Sequence, residues 1–278
     1  MTASVKKSLT AFTLAALLTA PLAACSSDNS TAPESNPTTA ATDTTAATDT
    51  STDSTNNDAA NAPSTAGAVV FAAASLSEVF PLIASDVDYS FDGSSGLVDQ
   101  LKGGAPADVF ASADKANMDK AVEAGVIDGD PVMFATNYLV LVTPADNPAG
   151  VTGFDSSLDG KRLVVCAAEV PCGAATNRLA EAQNVTLRPV SEESSVTDVL
   201  GKVTSGEADA GIVYVTDATR AGKDVTTIDI AGAQDDPNTY WLAKVTGAPH
   251  PDAADAFIAA ITGPGAKTLS TFGFGPAE

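Results

Sequence analysis

From residue 67 onward, short apolar runs alternate with stretches whose apolar residues recur at helical spacing. Residues 68–73 (AVVFAA) form a β-branched run of strand length, the pattern of a strand buried on both faces. Ser75-Leu76-Ser77-Glu78 follows and has capping-box spacing, with Ser75 as the expected N-cap. Val79, Phe80, Leu82 and Ile83 then give a helical apolar face, with Pro81 in its early turns. Residues 87–91 alternate as a strand. Asp92 to Gly96 read as a turn into a helix over 97–102, which Gly103 and Gly104 stop. A strand over 108–112 and a helix over 115–124, ended by Gly125, come next. Residues 138–142 (YLVLV), 162–166 and 210–215 (AGIVYV) are apolar strands, and 173–183 is a helix. Ser195-Val196-Thr197-Asp198 is a second cap-like start, leading into 199–204. Strands over 225–230 and 240–245 and a helix over 253–261 complete the pattern. No internal sequence repeat is visible. Strands alternating with short helices predict an α/β fold with parallel sheets, in which ligands sit at the carboxyl ends of strands.

The first 66 residues follow a different rule. Lys6 and Lys7 precede an apolar segment over 9–22 that is too short for a membrane span and reads as a signal peptide over residues 1–24. The segment ends Leu22-Ala23-Ala24-Cys25, the spacing of a bacterial lipobox, in which Cys25 is acylated and becomes the new N-terminus; an ordinary signal peptide with a nearby Cys is the alternative. Residues 25–66 comprise that Cys and then a Ser, Thr, Asp, Asn, Ala and Pro tract. Without Val, Ile, Leu or aromatic residues it has nothing to bury against its ordering entropy. It is expected to be a disordered tether from an anchor at the outer face of the cell membrane, and its Thr-rich stretch is open to O-glycosylation.

The formal net charge is −21, which argues against nucleic acid or another large polyanion as a partner. A small anion responds to local donors more than to distant, screened carboxylates. With Cys25 assigned to the lipid, Cys166 and Cys172 form an even pair, suited to a disulfide in an oxidising compartment. A single His and no second Cys pair argue against zinc. That residue, His250, lies between Pro249 and Pro251 and is expected on the solvated surface. No nucleophile elbow and no phosphate loop are present, so catalysis is not expected. Three strands instead lead into small hydroxyl residues at helix starts: Ser75, the pair Ser94/Ser95, and Ser194/Ser195 before Val196. A fourth leads to Pro171-Cys172-Gly173. Helix starts offer unpaired N–H groups and partial positive charge. Such serines equally serve as plain N-caps; only convergence would make them an anion site. Tyr138 and Tyr214 lie in apolar strands, where a buried hydroxyl needs a partner.

Several motifs, in order, resemble the periplasmic-type molybdate-binding proteins of ABC transporters, here in lipoprotein form. They are residues 70–76 (VFAAASL), 91–97 (FDGSSGL), 104–114 (GAPADVFASAD), 211–214 (GIVY) and 272–274 (FGF), and the likeness covers nearly all of 67–278. The resemblance implies a two-lobed α/β fold of the type 2 periplasmic binding proteins. Each lobe is a mostly parallel sheet flanked by helices, and two crossing strands join them. Lobe 1 would be 67–141 with 239–278, and lobe 2 would be 142–238. It implies a non-enzymatic, monomeric receptor without cofactor, which binds molybdate or tungstate and serves a permease with a separate ATPase. Ser75 and Ser94 would donate from the first lobe, Cys172 and Val196 through backbone N–H groups from the second, and Tyr214 through its phenol. Molybdenum would be held only as the oxyanion. At the Cys172 position the relatives usually have Ala, which a backbone donor tolerates. A Cys166–Cys172 bridge would either stiffen that loop or simply stabilise an exported protein, and Ser95 competes with Ser94 as the donor. A receptor for another oxyanion such as sulfate, and a secreted hydrolase, are the alternatives.

Overall fold

The computed structural model describes residues 64–277. The signal-like segment, Cys25 and nearly all of the tether lie outside the described residues. The strands are β1 (Val69–Ala73), β2 (Asp88–Asp92), β3 (Val109–Ser112), β4 (Ile127–Asn137), β5 (Leu139–Pro144), β6 (Leu163–Cys166), β7 (Ser191–Glu193), β8 (Ala210–Tyr214), β9 (Val225–Asp229) and β10 (Asn238–Val245). The helices are α1 (Phe80–Ile83), α2 (Ser94–Lys102), α3 (Lys115–Glu123), α4 (Pro171–Gln183), α5 (Val196–Thr204), α6 (Val215–Ala221), α7 (Pro251–Thr262) and α8 (Gly265–Thr271).

The strands build two five-stranded sheets, ordered β2-β1-β3-β10-β4 and β7-β6-β8-β5-β9. In each sheet the first three strands are parallel, and the fourth is antiparallel to both its neighbours. Four strands therefore run one way and one is reversed. The reversed strand is in each case the one arriving from the other sheet: β5 after β4, and β10 after β9. The two sheets thus share one topology, although the sequence shows no repeat. The chain first crosses at Tyr138, since all of β5 belongs to the second sheet; a lobe boundary at 141/142 is three residues too late. It returns through residues 230–237. Asn137 and Asn238 stand opposite each other in the β4–β10 ladder, at the crossing.

Apolar runs became strands because helices cover both faces of each sheet, and β1, β3, β5, β6 and β8 are buried nearly throughout. Leu139–Val142, Leu163, Val199, Val203 and Ile212 belong to the second core. Full burial of such a side chain stabilises by about 1.5–3 kcal/mol. An aromatic cluster links Phe80, Phe134, Phe257 and Phe274 through Tyr240 to Tyr214, whose ring centre is 6.0 Å from that of Tyr240.

The capping box at Ser75 does not form. Ala74–Leu76 is a single 3-10 turn with no side-chain cap, and α1 begins only at Phe80. The Ser75 hydroxyl is engaged by Tyr240 from a strand 165 residues away, so a tertiary contact overrides the local signature. The cap at Ser195 does form, accepting the Asp198 N–H. β4, β7, α6 and α8 carry no sequence expectation.

Candidate functional site

The carboxyl ends of β1, β2 and β3 face those of β6, β7 and β8 across a small cavity. It is lined by Ala73, Ala74, Ser75, Asp92, Gly93, Ser94 and Ala113 from one side and Val170, Pro171, Cys172, Val196 and Tyr214 from the other. Its volume is about 10 Å³, far below the roughly 300–1,000 Å³ of sites for organic ligands. The geometry therefore selects something very small. Among the described residues no Lys or Arg lines it, and no group of three or more His, Cys, Asp or Glu side chains is placed to hold a metal ion.

All five residues singled out from sequence, Ser75, Ser94, Cys172, Val196 and Tyr214, are buried on this one cavity. The shared topology explains their positions. Ser75 and Cys172 follow the equivalent strands β1 and β6, Ser94 and Val196 follow β2 and β7, and Tyr214 ends β8. Ser95 lies outside, on a separate groove with Asn117, Lys120 and Glu169.

All three hydroxyls already have a partner in the protein, and two of them accept from it. Ser94 Oγ accepts the Ala113 N–H at 3.0 Å. Tyr214 Oη accepts from Asn238 Nδ2 at 2.8 Å. Tyr240 Oη accepts from Asn137 Nδ2 at 3.4 Å and shares a 2.8 Å hydrogen bond with Ser75 Oγ, in which either hydroxyl can be the donor. A hydroxyl has one hydrogen. Ser94 and Tyr214 each spend acceptor capacity on the protein, which leaves their hydrogens for other partners; the cavity is one, and for Tyr214 the neighbouring Tyr240 hydroxyl is another. Burial, followed by the neighbouring Tyr240 and Asp114, holds the Tyr214 phenol well above its ordinary range, so it remains a donor.

Backbone groups add to this. The helical ladder of α4 begins with Ala174 N–H to Val170, and Pro171 has no N–H, which leaves Cys172 and Gly173 as the unpaired donors of the first turn. Gly173 is required there: a Cβ on it would lie 1.9 Å from the Ala167 carbonyl oxygen. Cys166 and Cys172 are joined by a disulfide, with Cα atoms 5.7 Å apart, tying the end of β6 to this turn. In α5 the Ser195 cap serves Asp198, leaving Val196 and Thr197 N–H free of the ladder. The Ser194 and Ser195 hydroxyls are not donors to the cavity, because both bond the Asp198 carboxylate.

Sequence reading missed four contributors: Asp92, Gly93, Asn137 and Asn238. Asp92 reaches the cavity wall, but its carboxylate is turned to the Gly93 N–H at 2.7 Å and towards Gln100. Gly93 brings the halves into contact, since a Cβ there would lie 2.0 Å from the Ser194 carbonyl oxygen. Only the Asp-Gly turn signal hinted at either. His250 is half exposed, as expected for surface, but its Nδ1 and N–H both meet the fully buried Asp108. It is not among the residues that line the cavity.

A family model of bacterial extracellular solute-binding proteins matches residues 60–275. The chain belongs to that family. Its relatives include the molybdate-binding protein ModA of Mycobacterium tuberculosis, 44% identical over 235 residues that cover 79% of this chain and 90% of that one. The ModA of Escherichia coli is 32% identical, covering 78% and 92%. Among solved structures, the periplasmic molybdate-binding protein of Azotobacter vinelandii aligns with a TM-score of 0.65 over 76% of this chain and all of that one. At 21% identity that likeness shows the two-sheet binding-protein fold. Among the described residues no helix is long and apolar enough to cross a membrane.

Proposed function

We propose that this chain captures molybdate, and tungstate with it, outside the cytoplasm and delivers it to an ABC importer whose permease and ATPase are separate chains. The observation that carries the reading is a convergence. Three hydroxyls and two helix starts with unpaired N–H groups meet on one cavity without a cation. Ser75, Ser94 and Tyr214 would donate through hydroxyls, and Cys172 and Val196 through backbone N–H groups.

A fully deprotonated dianion accepts at every oxygen, and donors alone satisfy it. Hydrogen phosphate carries a proton that would face another donor, at the cost of an unmade hydrogen bond. Neutral local donors also explain how an acidic protein holds an anion. No bond is made or broken, so the protein acts by binding, as a monomer and without a cofactor. The two lobes would close on the ion, strip its water and present a closed face to the permease. Cys25 would carry the lipid that holds the domain at the outer membrane face, with the tract after it as tether.

Isothermal titration of the domain from residue 64 with molybdate, tungstate, sulfate and phosphate tests this. Molybdate and tungstate are expected to bind at least a hundredfold tighter than sulfate, with phosphate weakest. Equal binding of sulfate would make this a receptor for a different oxyanion.

A further inference from the structure

We infer that Asn238, paired with Asn137 at the crossing between lobes, is a positioning residue for specificity: it turns the Tyr214 hydroxyl into a donor facing the cavity. The inference rests on the oxyanion reading above. It concerns how the site tells a deprotonated ion from a protonated one.

Neither end of the Asn238 amide is free to flip. Its Oδ1 accepts from Arg178 Nη2 at 3.2 Å, and a guanidinium can only donate. Its Nδ2 lies 3.0 Å from the Ala113 carbonyl and 3.2 Å from the Pro171 carbonyl, which can only accept. Three partners therefore agree on which atom is nitrogen, the assignment that amide geometry alone leaves open. The same Nδ2 meets Tyr214 Oη at 2.8 Å. At the shortest of the three Nδ2 contacts Tyr214 accepts, so its hydrogen is directed away from Asn238, where the cavity and the Tyr240 hydroxyl lie. Asn238 is itself buried, so water does not compete for these bonds.

Asn137 repeats the device on the other side. It stands opposite Asn238 in the antiparallel ladder, which puts both side chains on one face. Its Oδ1 accepts the Tyr138 N–H at 3.0 Å, fixing the amide, while Nδ2 donates to Thr216 Oγ1 and reaches Tyr240. Tyr240 in turn meets Ser75. Two amides at the crossing thus donate to the phenols on either side of it, Asn238 to Tyr214 and Asn137 to Tyr240.

The test is Asn238→Asp, which keeps the shape and replaces the donor with an acceptor. Tyr214 would then donate to the new carboxyl and offer the cavity a lone pair. The expected result is a roughly ten- to hundredfold loss of molybdate affinity, the range of one hydrogen bond to an ion. Hydrogen phosphate should lose much less, so that the molybdate-to-phosphate ratio falls. Added negative charge or general damage would weaken both anions in parallel, and that outcome overturns the inference. A double-mutant cycle with Asn238→Ala and Tyr214→Phe separates the route. Loss of the Ala113 and Pro171 contacts contributes equally in both backgrounds, so only action through the phenol makes the two changes non-additive. Additive effects overturn it as well. A wild-type domain that binds no oxyanion would instead remove the functional reading beneath it.

Discussion

Replacing Gly93 by Ala tests closure of the site without touching any donor. Gly93 caps α2 with φ −61° and ψ 139°, torsions that alanine adopts freely, so each lobe should fold as before. The added Cβ would stand 2.0 Å from the Ser194 carbonyl oxygen of the facing lobe, where real Cβ atoms essentially never come within 3.0 Å. The lobes must part there by about 1 Å, or the backbone on one side must shift by as much. A hydrogen bond near 2.9 Å stretched by that amount is no longer one. Donors from one side would stay with the ion and those from the other would lose it. Two bonds to an ion at about 1.5–3 kcal/mol each amount to about 3–6 kcal/mol, or roughly 10²- to 10⁴-fold in Kd. The assay is isothermal titration with molybdate, beside thermal melts with and without the ion. Melting of the free domain should change little, while the ligand-induced rise in Tm should largely vanish. A G93A domain that binds molybdate within threefold of wild type would refute the closed geometry as the binding state.

Tyr214→Phe removes one donor and leaves Asn238 with its two carbonyl partners. Titration should show a roughly ten- to hundredfold weaker Kd for molybdate, and full affinity would exclude the phenol from the site. The disulfide closes a short loop between Cys166 and Cys172, for which chain entropy gives about 2 kcal/mol. The double variant C166A/C172A should lose about that much in denaturant melts yet bind molybdate within tenfold, because the donor at Cys172 is its backbone. Asp217 is buried with Oδ2 unpartnered, and its pKa is pushed up to about 6 by burial, partly offset by Arg220. The folded state thus holds a proton that the unfolded chain, near 3.8, has released. Its stabilising contribution is full below about pH 4 and fades as pH rises through about 6. Asp217→Asn should flatten that fall, and a pH–Tm profile unchanged by the substitution would contradict it.

How legible the molecule is from sequence depends on whether an element's signal is local. β1, β5 and β8 are apolar on both faces and stand out. α5 pairs an amphipathic face with a cap made within its own first turn, and both were readable. β4 is not: Ile127–Asn137 contains Gly129 and Pro131, is exposed along most of its first half, and carries breaks in register against β10. α6 and α8 are short and rich in Thr, Ser, Ala and Gly, without a periodic face to mark them. Ser75 shows the limit of a correct motif, because its capping partners lost to Tyr240. The five candidate donors came from motif resemblance and from small residues after strands. Their convergence depends on how two sheets face each other, which no local pattern encodes. Asn137 and Asn238 carry no signal at all, since an Asn at a strand end reads as a turn residue until its partners are known.

The equivalence of the two sheets explains why so small a cavity can work by closing. Each lobe brings the turns after its first three strands in the same order, and each receives its reversed strand from the other lobe. The connections between lobes therefore run beside the site, at Asn137 and Asn238, and not at the far edges of the sheets. A rotation about that crossing would change the distance between the two equivalent sets of turns and leave each set on its own sheet. On the proposed reading such sets would keep their donors aimed without ligand, so the cost of ordering them would be met by folding and not at binding. The charge balance follows from the same arrangement. The formal charge is −21, but solvated carboxylates are screened beyond roughly 8–10 Å, whereas the proposed donors would touch the ion directly. A lysine in the lining would bind any anion more strongly. Neutral donors, with Tyr214 held by the buried Asn238 amide, would favour those ions that accept on every side.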